Sequence, residues 1–496
     1  VSVRVLQGHV LDVLAGMAPA SVHCVVCSPP YWQLRAYGTP HQVWPDGWVG
    51  ELGQEPDVDL YVAHLVDVFL AVRRVLRDDG TLWVNLAGCF WNDAGGQNGA
   101  QGTISPKAIV ANGQQGRTRK SGHPVYKALD YVDVPGLTAR ALQADGWLWR
   151  SDVALVKSAP MPESVSGTHW TRCRVKTAPG PTPRLGDPGD GGGYPAHGHG
   201  AAGGPMGGTA EWADCSGCRR CAKTDGLVLR RGSGRPTRAW ERLLVFAKKP
   251  GYFYDCEAVR EPAQYGRREW NGQRPHDIYD AATQGERLTY TTGGKGDDPS
   301  AGRNARDWLL WRPQPLKAEA GESEHYAAFP TFLPELAVKA GTSARGCCPG
   351  CGAPWARVVD RIVSEVTRKH YAAATAGVLP GTHRGTVERP GGYEFGETTT
   401  LGWRPTCACP PHSPRPATVL DCFAGSGTSG IVADRLGRDA VLVELKPQYA
   451  ELARNRVTRD APLLTWGAVT LETGASQESP APVPLLLEAA GAGADD

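Results

Sequence analysis

Apolar residues in the first third of the chain fall into two spacings. Short runs at His23–Cys27, Thr81–Leu86 and Asp152–Val156 are rich in β-branched residues and predict strands. Leu60–Leu76 and Leu137–Ala144 repeat apolar positions every three to four residues and predict helices. Strand and helix in alternation indicate an α/β layered fold. Arg242–Lys248 is a further strand-like run. From Ala417 the alternation resumes with a strand at Thr418–Leu420, a glycine-rich turn, a helix, a strand at Ala440–Val443 and a helix at Tyr449–Val457. Thr177–Gly208 is dominated by Gly and Pro, cannot supply a core and reads as a loop. Tyr252–Arg312 has weak periodicity, and Ala475–Asp496 is expected to be disordered.

Composition narrows the class. A length of 496 residues suits two or three domains. A hydrophobic content of 41% excludes a wholly disordered chain. The net charge of +2 gives no global field, so any polyanion must be met by local patches. The last 22 residues carry acids and no Lys or Arg, which leaves about +6 on the remainder. Gln7, His9 and Asp12 break the apolar residues of Val1–Ala20, so no secretory signal is expected there. No apolar run is long enough to span a bilayer. A cytoplasmic location, without membrane contact, is the expectation. There, fourteen cysteines read as metal ligands before disulfides.

Two short motifs carry chemistry. The segment DCFAGSGTSG between a strand and a helix contains G-x-G-x-x-G at Gly425, Gly427 and Gly430, and Glu444 closes the next strand. Such a turn lets backbone approach a ligand, and the acid can hold the two ribose hydroxyls of an adenine nucleoside. A nicotinamide dinucleotide and S-adenosylmethionine both use this geometry. Asp421 tilts the choice, since a carboxylate suits the amino-acid end of S-adenosylmethionine and repels a pyrophosphate. Near the N-terminus, Ser28-Pro29-Pro30-Tyr31-Trp32 follows the first apolar strand. Two prolines remove two donors, which leaves carbonyl oxygens at the strand end. The Ser28 side chain and the Pro29 carbonyl could accept both hydrogens of an exocyclic amine, and Tyr31 could stack on a base flipped from a duplex. A rigid turn is the plainer reading of the pentapeptide alone.

Taken together, SPPYW and the D-x-F-x-G-S-G-T loop resemble the β-group of DNA amino-methyltransferases. RVLRDDGTLWVNLAG (Arg74–Gly88), ALQADGWLWRSDVALVKSAPMPESV (Ala141–Val165) and HYAAFPTFLPELAVKAGTS (His325–Ser343) resemble further motifs of that group in its order. The resemblance implies a Rossmann-like, circularly permuted methyltransferase sheet in an α/β fold, with S-adenosyl-L-methionine as methyl donor. It implies target-amine roles for Ser28, Pro29, Pro30 and Tyr31. It implies cofactor contacts from Phe329, Pro330, Asp421, Phe423, Ala424, Gly425, Ser426, Gly427, Thr428 and Glu444. S-P-P-Y is associated in the group with cytosine N4 more than adenine N6, so N4-cytosine methylation is expected, with N6-adenine as the alternative. Three positions depart from the group's pattern: Gly8-His9 for Gly-Asp, Asp421-Cys422-Phe423 for Asp-Pro-Phe, and Leu86-Ala87-Gly88 for Leu-Gly-Asp. His9 and Cys422 motivate a second alternative, a DNA-binding homologue with impaired catalysis. No Pro-Cys nucleophile is present at the motif, so direct transfer to an amine is favoured over covalent attack on carbon.

Cysteine spacing supplies the remaining chemistry. Cys348-x-x-Cys351 followed by Cys407-x-Cys409 reads as a zinc ribbon, with Cys347 a spare. Cys215-x-x-Cys218-x-x-Cys221, with Cys173 across the Gly/Pro loop, reads as a second zinc site. Free buried thiols are the alternative for the first, and a redox-active or free-thiol loop for the second. The expected organisation is a catalytic half at 1–172, a zinc-binding insertion at 173–225, a return to the sheet at 226–250 and a target-recognition region at 251–320. A cofactor-enclosing motif at 321–345, a zinc-ribbon-like insertion at 346–410, a cofactor-binding half at 411–470 and a tail at 471–496 complete it. Arg235, Arg238, Arg267, Arg268, Arg274, Arg303 and Arg306 are the arginines expected to meet duplex DNA. A second copy of the chain and a cognate restriction endonuclease are the other partners considered.

Overall fold

The computed structural model describes residues 1–91, 123–127, 129–160, 166–176, 212–261, 304–311, 330–361, 398–410, 412–460 and 469–473. It divides into two units: one contains most of the chain, and the other has its described residues within 160–239.

The larger unit is built on a nine-stranded sheet. Its strands in chain order are β1 (Val3–Gln7), β2 (Val22–Cys27), β3 (Leu76–Leu86), β4 (Leu148–Lys157), β5 (Trp240–Ala247), β6 (Trp308–Trp311), β7 (Thr418–Asp421), β8 (Asp439–Glu444) and β9 (Val469–Thr473). They lie in the order β6-β4-β5-β3-β2-β7-β8-β1-β9. All neighbours are parallel except β5, which runs antiparallel to both β3 and β4. Helices α1 (Val10–Gly16), α2 (Val58–Val75) and α3 (Val134–Ala144) contribute to one apolar core. Helices α4 (Phe332–Gly341), α5 (Thr428–Arg435) and α6 (Pro447–Asp460) contribute to the other. Side-chain alternation along the strands serves both cores: Val25 and Cys27 of β2 join the first, Cys24 and Val26 the second. A strand buried on both faces reads as a continuous apolar run, which makes β2 legible in the sequence.

Local signals set the helix ends. Asp57 caps α2 by accepting from the Asp59 amide, and Asp133 caps α3 through the Gly136 amide with Pro135 in the first turn. The structure adds β1, α1, α4, β6 and β9 to the predicted elements. β6 belongs to the sheet although it lies within the expected recognition region, because Trp308–Trp311 pairs with Ala154–Lys157 of β4. β9 carries order through Thr473, past residue 471 where the tail is expected to begin, by pairing with β1. No helix among the described residues is long and apolar enough to cross a membrane.

Within the smaller unit, Ser166–Arg172 pairs antiparallel with Leu227–Gly234, and Arg174–Lys176 pairs with Trp212–Asp214. The first pairing explains why this unit is wider than the expected insertion at 173–225: its framing strands lie outside those bounds.

Candidate active site

The carboxyl ends of β2 and β7 lie side by side. Their register pairs Val419 with Cys24 and Leu420 with Val25, so Ser28 and Phe423 each follow three residues beyond paired neighbours. The SPPYW turn and the glycine loop therefore leave the same edge of the sheet, where open α/β sheets bind ligands.

The glycine loop is held by two acids. Glu444 Oε2 accepts from the Gly425 amide at 2.8 Å, and its Oε1 from the Lys446 amide at 2.8 Å. Burial raises the Glu444 carboxyl above its usual range. Asp421 is fully buried; it accepts from the Phe423 amide at 3.0 Å and from the Ser429 hydroxyl. Burial is the main cause that lifts its carboxyl to about 7. Asp421 thus organises the turn from beneath. Gly425 and Gly427 both have positive φ, and Gly430 packs so closely that an added Cβ would come 2.6 Å from Leu442 Cδ1. Ser426 and Thr428 are buried, and Arg456 donates to the Ser426 carbonyl. Ala424 is buried too, its amide bonded to the Val443 carbonyl at 2.9 Å. Phe423 is half-buried. The Pro330 carbonyl accepts from the Leu333 amide at the start of α4; Phe329 lies outside the described residues.

On the SPPYW side, Ser28 Oγ donates to the Asn85 carbonyl at 3.4 Å. The Pro30 carbonyl, expected to point outward without a partner, accepts from the Tyr61 hydroxyl at 2.8 Å. Trp32 is a core residue whose Nε1 donates to the Glu55 carbonyl. Tyr31 donates through its hydroxyl to Glu241 Oε2 at 3.1 Å and accepts from Asn85 Nδ2 at 2.9 Å. Burial, then the Glu241 charge, pushes the Tyr31 phenol well above its usual range and keeps it a donor. Sequence reasoning misses Asn85, Glu241 and Lys157, the last of which pairs with Glu241. A signal for Asn85 is present: one amide interrupts the apolar run of β3.

The three departures pack rather than open the site. Cys422 is buried in the first core. A Cβ on Gly88 would come 2.8 Å from the Val132 carbonyl. His9 stands edge-on to Trp44 at 5.3 Å, and burial lowers its pKa.

Both cysteine quartets come together, each with its four Sγ atoms within 4.8 Å of one another: Cys173, Cys215, Cys218 and Cys221, and Cys348, Cys351, Cys407 and Cys409. Cys218 Sγ lies 3.7 Å from the sulfurs of Cys173 and Cys221. Backbone amides donating to Cys218 and to Cys348 lower each thiol to about 6, favouring thiolate. Cys347 stays apart, buried and bonded through its backbone to Arg415.

Of the expected DNA-binding arginines, Arg267, Arg268, Arg274 and Arg303 lie outside the described residues. Arg306 bonds Glu261 at 2.8 Å and stacks 4.2 Å from the Trp308 ring centroid. Arg238 is half-buried, and Arg235 donates to the Pro236 carbonyl.

A family model described as a DNA methylase, of the N6 and N4 type, matches residues 22–348 and 412–455. The chain belongs to the N6/N4 DNA methylase family. This methylase is 24% identical over 458 residues to the type II methyltransferase M.SmaI of Serratia marcescens, covering 92% of this chain and 91% of that one. It is 24% identical over 451 residues to the type II methyltransferase M.Cfr9I of Citrobacter freundii, covering 91% and 86%. Among solved structures, the PvuII DNA methyltransferase (cytosine-N4-specific) matches at 12% identity and TM-score 0.40, covering 95% of each chain.

Proposed function

We propose that this methylase transfers a methyl group from S-adenosylmethionine to the N4 amine of a flipped cytosine in duplex DNA. The observation that carries the reading is the shared edge of β2 and β7, which sets Ser28–Tyr31 beside the glycine loop. When bound, S-adenosylmethionine supplies an electrophilic methyl on a sulfonium. The residues fit it. Glu444 offers a carboxylate for the ribose diol, Gly425 and Gly427 lack side chains that would block approach, and Phe423, Ala424, Ser426, Thr428 and Pro330 complete its surroundings. Asp421 shapes that loop, in place of the direct contact expected from its charge.

An exocyclic amine is a weak nucleophile because its lone pair is delocalised into the ring. Ser28 and the Pro29 carbonyl would accept its hydrogens and turn the lone pair toward the methyl group. Positioning and electrostatics carry the rate. The amine nitrogen would gain a bond to the methyl carbon as that carbon's bond to the sulfonium sulfur breaks, the electron pair staying on sulfur as a neutral thioether, and the nitrogen would release one proton to solvent.

Each cysteine quartet is proposed to hold a structural zinc ion. Tetrahedral Zn–S bonds of about 2.3 Å require S–S edges of about 3.8 Å, close to the Cys218 separations above. Two relatives matched over about nine-tenths of the chain are named type II methyltransferases. A cognate restriction endonuclease acting at the same DNA sequence is the partner this suggests.

The test supplies labelled S-adenosylmethionine and mixed-sequence duplex DNA to the full chain, then digests the DNA to nucleosides. Label in N4-methylcytosine is the expected result. Label in N6-methyladenine moves the target to adenine, and DNA that binds without acquiring label overturns the catalytic reading.

A further inference from the structure

Asn85 is 4% exposed, and its two amide ends have unequal fates. Nδ2 donates to the Tyr31 hydroxyl at 2.9 Å and to Glu241 Oε2 at 3.3 Å. Oδ1 is buried without a hydrogen-bond partner among the described residues. A buried amide oxygen left in this state costs on the order of 1–3 kcal/mol, so it marks either a defect or a waiting acceptor. The orientation is not free to reverse. A carboxylate only accepts, so Glu241 compels the NH2 end to face it, and turning Oδ1 toward Glu241 would set two acceptors together. Glu241 is itself fixed: Tyr31 donates to its Oε2 at 3.1 Å, and Lys157 pairs with its Oε1. Antiparallel pairing holds this group at the end of β3, where Leu243 is opposite Asn85 and Arg242 opposite Leu86. The same residue's backbone carbonyl accepts from Ser28 Oγ at 3.4 Å, which puts Asn85 next to the target-amine motif.

We infer that Asn85 Oδ1 shares with Ser28 Oγ one hydrogen of the target's exocyclic amine, in a bifurcated hydrogen bond that leaves the other hydrogen to the Pro29 carbonyl, and that Glu241, braced by Lys157, is the positioning residue that aims it. The inference rests on the amine-transfer reading above and adds to it a residue that selects amine over keto substituents. A keto oxygen in the same place would oppose Oδ1, whereas an amine supplies the missing donor. As the nitrogen gains positive character during transfer, its N–H becomes a stronger donor, so Asn85 acts more on the transition state than on bound DNA.

The experiment measures methyl transfer to DNA for the full chain with Asn85→Asp, Glu241→Gln and the double variant, together with S-adenosylmethionine affinity by calorimetry. Asn85→Asp replaces the donor that faces Glu241 with a second carboxylate oxygen, and repulsion between the two acids displaces the whole side chain from the amine. A charge-assisted hydrogen bond to the reacting amine corresponds to a fall in kcat on the order of 10- to 100-fold. KM for DNA and cofactor affinity should change little. In the double variant the donor and acceptor roles are exchanged: the new carboxamide on β5 can donate to the new carboxylate on β3, so most of the lost kcat should return. Glu241→Gln alone should give an intermediate loss. An Asn85→Asp chain with native kcat, or a folded double variant no better than Asn85→Asp, overturns the inference while wild-type activity leaves the amine-transfer reading standing. A wild-type chain that methylates no DNA base removes both.

Discussion

Gly427 is seated on Ala453: a Cβ built on the glycine would lie 2.8 Å from the Ala453 Cβ and 3.0 Å from its Cα. Gly427 is also the N-cap residue that precedes α5, with φ of +77°, a region that costs an L-residue about 1–2 kcal/mol. Gly427→Ala should therefore lower stability by about 2 kcal/mol or more, the strain and the collision acting together. It should also weaken S-adenosylmethionine binding at least as strongly as it weakens the fold. Denaturant titration and calorimetry check the two effects; a variant with native values in both would show that α6 yields freely.

The buried Asp421 gives a pH signature of definite sign. Its carboxyl is lifted from 3.8 to about 7, mainly by burial, so the folded chain holds this proton where the unfolded chain has lost it. Its contribution favours the fold at low pH and fades as pH rises from about 4 to about 7, on the order of a few kcal/mol in all. His23 runs the other way. Burial, then Arg77, lowers it to about 4, so its contribution weakens as pH falls below 6.5. Because the two oppose, the difference between variant and wild type is the quantity to measure. Asp421→Asn keeps an acceptor for the Phe423 amide and a partner for Ser429. It should gain stability relative to wild type as pH rises from 4 to 7; a pH-independent difference would contradict the shift.

Legibility in the sequence follows the physics of burial. β2, β7 and β8 are readable because strands covered on both faces are apolar at most positions, and the glycine loop because its backbone tolerates few residues. β9 is hidden because VTLET is short and polar. It is recognised as a strand by its parallel pairing with β1. Glu241 and Lys157 are invisible for a different reason: each looks like an ordinary surface charge in its own strand, and only the folded sheet brings Glu241 to Tyr31 and Lys157 to Glu241. Arginine counts mislead in another way. Residues 251–320 contain 10 Lys and Arg but 11 Asp and Glu, so the expected basic recognition region has no cationic surplus. Arg306 illustrates the point, since Glu261 already holds it.

The second cysteine quartet braces the sheet as well as itself. Arg77 Nη1 donates to the Cys351 carbonyl at 2.7 Å. His23 accepts from the Thr418 amide at 3.0 Å through Nδ1 and donates from Nε2 to the Gly352 carbonyl at 3.0 Å. The Cys348–Gly352 turn is thereby tied to β2, to β3 and to the start of β7. Two zinc ions per chain are expected by elemental analysis. Cys348→Ser should remove one and lower the melting temperature of the larger unit, through loss of metal stabilisation and of this brace. Cys218→Ser should remove the other. Metal-free protein with an unchanged melting curve would exclude a structural zinc role.

The smaller unit carries the cationic surplus that residues 251–320 lack. Residues 160–239 contain 11 Lys and Arg against 6 Asp and Glu. Arg172, Arg174 and Arg230, with His169 and Thr171, line one groove on the paired strands. Exposed Asp214 faces Arg174 at 3.6 Å and Arg172 at 3.9 Å, and pairs so exposed contribute little. These arginines can exchange that partner for phosphate. Replacing all three with Ala should weaken binding to duplexes of any sequence and reduce the slope of log K against log salt by about 0.9 per lost phosphate contact. Arg306→Ala should leave that slope unchanged, because its guanidinium is committed to Glu261 and Trp308. Fluorescence anisotropy across a salt series separates the two. An unchanged slope in the triple variant, or a large change with Arg306→Ala, would place the phosphate contacts elsewhere.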